Sequence, residues 1–155
     1  MNRKGFTLIE LLIVIIILGV LAALITGNFF TSLKKGRDAR RKSDLEQIQR
    51  GLEMYYEDKK TYPLTVDVTF GNSLIDSISG KIYMQRVPND PVSGKDYQYL
   101  SADGTDYKIF ACLENDQQML PYESTGYNIT CGNCKNGAGD TVACIWGVSS
   151  SNIAP

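Results

Sequence analysis

The sequence contains no histidine, and this absence excludes several classes of function at once. Without histidine there is no His-based catalytic triad, no histidine metal ligand and no side chain that titrates near neutral pH by default. The sequence also has no Walker loop, no dinucleotide-binding glycine fingerprint and no zincin motif. We therefore predict that the chain is not an enzyme and that it has no catalytic residue.

No large charge excess is present, because 16 basic and 17 acidic side chains give a net charge of −1. The charges are unevenly distributed: residues 34–60 contain nine basic and six acidic side chains, whereas the chain from residue 61 onward contains five and ten. An acidic C-terminal part argues against a dedicated nucleic-acid-binding domain. The length of 155 residues allows one small domain and an anchor helix.

An apolar run extends from Phe6 to Ile25 and follows two basic residues, Arg3 and Lys4. About 20 apolar residues are enough to cross a bilayer as a helix. The run is longer than the apolar region of about 7–15 residues in a secretory signal peptide. A plain single-span anchor fits the length but leaves Glu10 unexplained, because a charge within a membrane helix is costly and marks a functional position by default.

The segment Lys4-Gly5-Phe6-Thr7-Leu8-Ile9-Glu10 resembles the class III signal of type IV pilins and type II secretion pseudopilins. The resemblance implies that a prepilin peptidase cuts after Gly5 and that the new amino terminus on Phe6 is methylated. It also implies that Glu10 meets the Phe6 amine of a neighbouring subunit during assembly. A carboxylate and an ammonium are each costly in lipid, so a pair between subunits relieves both.

Apolar residues then recur at three- and four-residue spacing, namely Leu45, Ile48, Leu52, Tyr55 and Tyr56. This spacing predicts an amphipathic helix. The pattern continues from the apolar run, so we predict one helix from about Phe6 to Asp58. Thr61-Tyr62-Pro63 is expected to end it, because proline cannot continue a helix.

Two glycines are predicted points of helix flexibility, since each costs up to about 1 kcal/mol relative to alanine in a helix. Pilins have a glycine and a proline that bracket a segment able to unwind within the filament. Gly19 matches that glycine, and Gly27 stands where the family usually has proline. A small residue such as Gly19 also allows close helix packing in membranes.

The chain after Pro63 is predicted to form a small antiparallel sheet of about three strands. A hairpin is expected over residues 96–114, a third strand over 142–148, a short helix over 71–78, and mostly loop from 114 to 140. The order of anchor helix, loop, Val-Pro-x-Asp-Pro turn at 87–91 and sheet is similar to that of pilins. The fold expected is therefore α+β, the type IV pilin fold, and residues 4–113 resemble the major pseudopilin of type II secretion best.

Four segments follow from this prediction. Residues 1–5 are the leader, 6–26 the transmembrane and filament-core half of the helix, 27–60 its amphipathic half, and 61–155 the globular domain with a cysteine-containing C-terminal loop region.

The chain has four cysteines, Cys112, Cys131, Cys134 and Cys144, all in the globular part. Disulfides are the default for an exported domain, and four cysteines allow three connectivities. A direct bond between Cys131 and Cys134 closes a tight loop, which favours pairing each of them with Cys112 or Cys144. A zinc site built from the same cysteines is the alternative.

Oxygen donors lie near the end of the predicted hairpin, at Glu114, Asn115 and Asp116, and again at Asp140. The resemblance to major pseudopilins implies a calcium ion in roughly this region. The sequence lacks the Asp-Gly-rich loop of those proteins, so solvated acidic side chains are the alternative.

A basic stretch from Lys34 to Lys42 follows the apolar run. It is interpreted as a helix face contacting lipid headgroups, as a surface meeting acidic neighbouring subunits, or as a DNA-binding strip along a filament. Positive charges after the span would place the C-terminal domain in the cytoplasm by the positive-inside rule. The signal resemblance and the cysteines indicate export instead.

We predict a structural subunit of a type IV pilus, for adhesion, motility or DNA uptake, with the cysteine-bearing C-terminal region favouring this over the major pseudopilin of a type II secretion system. A single-span membrane protein with an exported ligand- or partner-binding domain is the alternative from another class. The resemblance implies membrane lipid as the environment before assembly, then a cell-surface or periplasmic filament. The implied partners are further copies of the chain, other pilins, the prepilin peptidase, and a membrane platform with its assembly ATPase.

Overall fold

The computed structural model describes residues 5–116, 119–120, 131, 133–136 and 141–150. Contacts divide the chain into two compact units, Met1–Lys34 and Lys35–Pro155. The helix α1 (Leu8–Lys59) contains residues of both units, close to the predicted bounds. Within the described part of the chain, no single helix meets the length and hydropathy of a membrane span, but the segments Leu8–Leu24 and Phe29–Lys59 meet them as a pair.

The first unit consists of the N-terminal part of α1 and carries its apolar side chains on the outside. From Phe6 to Leu24 the large apolar side chains are between 46% and 88% exposed. A helix that is apolar all round is one that lipid or other helices surround. This part of α1 therefore presents an apolar surface that the described residues leave exposed.

The second unit contains the remainder of α1, a short 3₁₀ helix (Thr65–Asp67) and eight described strands. The strands are β1 (Leu74–Ile75), β2 (Ile82–Met84), β3 (Gln98–Leu100), β4 (Lys108–Cys112), β5 (Met119–Leu120), β6 (Asn133–Asn136), β7 (Thr141–Ala143) and β8 (Ile145–Ser149). They form three sheets, β1-β2, β3-β4-β8 and β5-β6-β7. The sheet β3-β4-β8 is antiparallel throughout, whereas β5 runs parallel to β6.

The core lies between the amphipathic part of α1 and the sheet β3-β4-β8. Leu45, Ile48 and Leu52 are at most 1% exposed, as the spacing predicts. They pack in one cluster with buried residues from the loops and strands, namely Tyr62, Val68, Leu74, Tyr83, Met84, Val87, Tyr97, Tyr99, Tyr107, Ile109 and Ala111. The predicted α+β, pilin-type fold is confirmed.

Three tyrosines of this core donate hydrogen bonds from their hydroxyl groups to carboxylates of α1. Tyr97 donates to Asp44 at 2.8 Å, and Tyr107 donates to Glu53 at 3.1 Å. Tyr62 also donates to Glu53, at 3.1 Å. Each aromatic ring can thus be buried while its polar end keeps a partner.

Three local predictions are wrong. The expected helix over 71–78 is instead β1 followed by a turn, because the Asp76 carboxylate accepts the N–H groups of Ile78 and Ser79 and Gly80 adopts a φ of 70°. The expected third strand is divided at Cys144 into β7 and β8. The expected loop from 114 to 140 contains β5 and β6.

Candidate functional site

The first site lies at the start of α1, where Thr7 and Glu10 bind each other. The Thr7 N–H and hydroxyl donate to Glu10 Oε2 at 2.9 and 2.6 Å, and the Glu10 N–H donates to the Thr7 hydroxyl at 3.3 Å. These reciprocal bonds form a capping box, which satisfies N–H groups that the first turn of a helix leaves unpaired. The sequence Thr7-Leu8-Ile9-Glu10 therefore fixes where α1 begins.

This helix start leaves Gly5 and Phe6 outside α1. The Phe6 side chain is 79% exposed. The proposed cleavage bond between the two residues thus precedes the helix. The hydrogen bonds that Glu10 receives from Thr7 come from neutral groups, so they bring no positive charge to its carboxylate.

The two predicted flexibility points both lie within α1. A methyl group added at Gly19 would meet nothing within 4 Å. Packing against the described residues therefore does not require a glycine at position 19. Flexibility at Gly19 and Gly27 stays a prediction.

The second site is a cluster of charges around Arg41, whose side chain is fully buried. Its guanidinium donates to Asp90 Oδ2 at 2.6 Å and Oδ1 at 2.9 Å, to Asp38 Oδ1 at 2.8 Å, and to Glu114 Oε1 at 2.6 Å. One cation thus joins α1, the turn before β3 and the segment after β4. Breaking such a buried pair from one side is strongly destabilising, because the remaining charge is left uncompensated.

Further contacts fix the segment after β4 to α1. Asp38 accepts the backbone N–H groups of Glu114 at 2.9 Å and of Asn115 at 2.8 Å. Arg37 adds a forked contact to the Glu114 carboxylate, with Nε at 3.0 and 3.1 Å from its two oxygens. The segment is therefore held through both its side chain and its backbone.

The contacts in the cluster shift the pKa values of Glu114 and Arg41. Hydrogen bonds from Arg37 lower the pKa of Glu114 to about 2, and Arg41 adds to the effect. Burial alone would lower the pKa of Arg41, but its hydrogen bonds to Asp90 and Glu114 raise it above the ordinary value for arginine. Glu114 and Arg41 consequently stay ionised across the physiological range.

Arg41 belongs to the predicted basic stretch from Lys34 to Lys42, and the sequence pattern did not predict this cluster. Within that stretch, Lys34, Lys35 and Arg40 are exposed. Lys42 instead lies over the ring of Trp146, with Nζ 4.2 Å from its centroid. Only part of the stretch is therefore available for lipid headgroups or neighbouring subunits.

The spacing of α1 contained a signal for the cluster. Asp38 and Arg41 continue the three- and four-residue rhythm of Leu45, Ile48 and Leu52 toward the N terminus. Charged residues on a buried stripe are rarely left unpaired. The pattern thus indicated burial but not the partners.

The predicted calcium donors do not fit a calcium site. The Glu114 carboxylate is bound by two arginines, Asn115 is buried with its N–H on Asp38, and Asp116 is exposed. Among the described residues, no group of three His, Cys, Asp or Glu side chains could hold a metal ion. Asp140 lies outside those residues.

A disulfide joins Cys112, at the end of β4, to Cys131, with Cα atoms 5.3 Å apart and a sequence separation of 19. This pairing is one of those that the spacing favoured. Cys144 is also disulfide-bonded. Thiolates are needed to bind zinc, so the zinc alternative is wrong for these three cysteines. The Cys134 side chain lies outside the described part of the structure.

Two known family descriptions match this chain, one at its N terminus and one over the residues that follow. Residues 1–26 match the prokaryotic N-terminal methylation motif, and residues 28–120 match the family described as type II secretion system (T2SS), protein G. The chain belongs to the protein G family of type II secretion. It is a structural, pilin-like member and not an enzyme, and its methylation motif marks it for prepilin peptidase processing.

Several members of the protein G family are similar to this chain. The type II secretion system core protein G of Klebsiella pneumoniae is 36% identical over 109 residues, which cover 64% of this chain and 76% of that protein. Those of Vibrio cholerae and Pseudomonas aeruginosa are 32% and 36% identical, and the matches cover 64% and 67% of this chain and 72% and 77% of theirs. No solved structure matches the chain.

Proposed function

We propose that this protein is the major subunit of a type II secretion pseudopilus, a filament assembled from the membrane that moves exported proteins outward. The observation that carries the proposal is the match of residues 28–120 to protein G immediately behind a methylation motif. The exposed apolar part of α1 and the compact Lys35–Pro155 unit supply what such a subunit needs. The first packs in lipid or in a filament core, and the second forms the filament surface.

In this proposal the N-terminal site performs the assembly chemistry. The peptidase cuts between Gly5 and Phe6, and the Phe6 amine becomes methylated. The amine then pairs with Glu10 of the next subunit in the filament. The pair supplies register, because an unpaired charge among apolar helices is costly. The platform proteins, the assembly ATPase and other pilin-like subunits are the proposed partners.

A type IV pilus subunit is the second candidate. The chain beyond residue 120 favours it, because the protein G match does not cover that part and three of the four cysteines lie in it. Both candidates use the same N-terminal site and the same fold. They differ in what is lost when the protein is missing.

Deletion of the gene in its own host separates the candidates. Loss of exported proteins from the culture supernatant, with surface fibres retained and with rescue by the wild-type gene, supports the pseudopilus. Loss of surface fibres with normal secretion would favour the pilus. No change in either, together with an uncut Met1 terminus by mass spectrometry, would contradict both and favour a single-span protein with its own binding domain.

A further inference from the structure

Three carboxylates from distant parts of the sequence converge on the Arg41 guanidinium. Asp38 lies one turn before it in α1, Asp90 follows 49 residues later, and Glu114 follows 73 residues later. Carboxylates this close repel one another unless a cation lies between them. In many proteins such a group of carboxylates holds a divalent cation, whereas in this chain a guanidinium lies at its centre.

The hydrogen bonding of these carboxylates is complete. Asp38 Oδ1 binds Arg41 and its Oδ2 binds the Asn115 N–H, while both oxygens of Asp90 bind Arg41. Glu114 Oε1 binds Arg41, and its Oε2 binds Arg37. All six oxygens have a donor, so a metal ion entering here would have to displace the guanidinium.

We infer that Arg41 is the built-in cation of this region and that the fold of the segment after β4 does not require bound calcium. This differs from the calcium that the resemblance to major pseudopilins implies. The disulfide from Cys112 to Cys131 is a second crosslink at the end of β4. The inference concerns how the subunit is held together, so it stands whichever filament the subunit builds.

Calcium dependence of the intact protein tests the inference directly. The full-length wild-type chain, purified in detergent, is heated and subjected to limited proteolysis in calcium chloride and, separately, in excess EGTA. The melting temperature is expected to be the same in calcium chloride and in EGTA. The rate at which proteases cut the chain on the C-terminal side of residue 114 is also expected to be the same. A lower melting temperature or faster cleavage in EGTA would overturn the inference, including the case of calcium bound elsewhere in the C-terminal region.

A pair of neighbouring arginine variants tests the role of the guanidinium. Arg41→Met keeps much of the volume but leaves three carboxylates without their cation. Its melting temperature is expected to fall by roughly 10 °C. Arg40→Met is the matched control, because the Arg40 side chain is 68% exposed and its ion pair with Asp44 spans 3.9 Å.

Equal melting temperatures for Arg41→Met and Arg40→Met would overturn the inference, since the buried guanidinium would then contribute nothing. Should Arg41→Met not accumulate as folded protein, Glu114→Gln replaces it. That variant removes one negative charge and keeps Arg41. It is expected to remain insensitive to EGTA, and a new requirement for calcium in it would contradict the inference.

Discussion

The backbone N–H of Tyr62 donates a hydrogen bond of 2.8 Å to the carbonyl of Gly104. The Thr61 hydroxyl donates to the same carbonyl at 3.1 Å. These two hydrogen bonds join the end of α1 to the turn between β3 and β4. They lie at the point where the chain leaves the helix. Gly104 has a φ of 77° at this contact.

Replacement of Gly104 by alanine is expected to destabilise the domain through both conformation and space. A Cβ at this position would lie 2.2 Å from Thr61 Oγ1 and 2.8 Å from the Tyr62 carbonyl. The left-handed conformation costs about 1–2 kcal/mol for a non-glycine residue, and overpacking adds about 1–3 kcal/mol. Denaturant unfolding of the full-length chain in detergent measures the change.

Gly80→Ala is the matched control for that variant. Gly80 also has a positive φ, of 70°, but its Cβ would meet nothing within 4 Å. It is expected to lose only the conformational part. Equal losses in the two variants would contradict the close contact at Gly104.

Asp90→Asn is expected to lower the free energy of unfolding by about 3–5 kcal/mol, because Arg41 then stays buried without its two-point ionic partner. Asp90 Oδ1 also accepts the Val92 N–H at 2.8 Å, a hydrogen bond that an asparagine oxygen can keep, so the turn before β3 should be retained while the stability falls. Hydrogen exchange of that turn and denaturant unfolding report the two effects. Asp96→Asn, at an exposed position, is the control, and similar losses in both variants would argue against the buried pair.

Acid sensitivity is expected to follow Glu114. The pKa of its carboxyl is lowered in the folded protein to about 2, against about 4.3 in an unfolded chain. A lowered folded pKa gives stability that is fully present above the unfolded value and is lost as pH falls toward the folded value. Unfolding measured between about pH 4.3 and 2 should therefore be less pH-dependent in Glu114→Gln than in the wild type.

Glu57→Gln serves as the control for the acid experiment, since the Glu57 side chain is 78% exposed. It is expected to follow the wild-type pH curve. A Glu114→Gln curve parallel to that of the wild type would show that the contacts from Arg37 and Arg41 do not contribute to stability.

Two substitutions at Glu10 separate its two roles. Glu10→Gln keeps a capping box with Thr7, because glutamine also serves at that position, but it removes the charge. Glu10→Val removes both. We expect both variants to insert and to be cleaved after Gly5, and neither to form filaments in a shearing assay. Filament yield from Glu10→Gln equal to the wild type would mean that the capping box, and not the charge, is what assembly needs.

The crosslink is expected to protect the C-terminal region. Replacing both Cys112 and Cys131 by serine removes a closed loop of 19 residues, and a loop of that size stabilises by about 3 kcal/mol. The double variant should be cut faster by proteases between these two positions. Non-reducing digestion of the exported wild type should yield a peptide linked through Cys112 and Cys131, and four free thiols would contradict the structure.

The sequence predicted those parts of the fold that depend on local periodicity. The stripe of Leu45, Ile48 and Leu52 and the strands near 98–100 and 108–112 are where apolar spacing indicates them. Local pattern does not contain the partners of a buried charge. Arg41 was therefore assigned to the basic stretch, because its ionic partners Asp90 and Glu114 lie 49 and 73 residues away in sequence.

Polar and glycine-rich composition also misled the prediction of the C-terminal region. It indicated loop for Asn133–Asn136, yet β6 forms there because both β5 and β7 pair with it. The wrong helix prediction over 71–78 has a local cause. The Asp76 carboxylate accepts the N–H groups of Ile78 and Ser79, and these hydrogen bonds compete with the backbone bonds of a helix.

The capping box between Thr7 and Glu10 lies entirely on the mature side of the proposed cleavage bond. The first helical hydrogen bond, from the Leu11 N–H to the Thr7 carbonyl at 3.3 Å, lies there as well. If the leader is cut after Gly5 as proposed, no residue of α1 is removed, because α1 begins at Leu8. In the proposed maturation the leader leaves with the cationic Arg3 and Lys4, and the amino terminus moves to Phe6, one residue ahead of the capping box. The proposed maturation would thus change the charges that precede α1 and leave the residues of the helix unchanged.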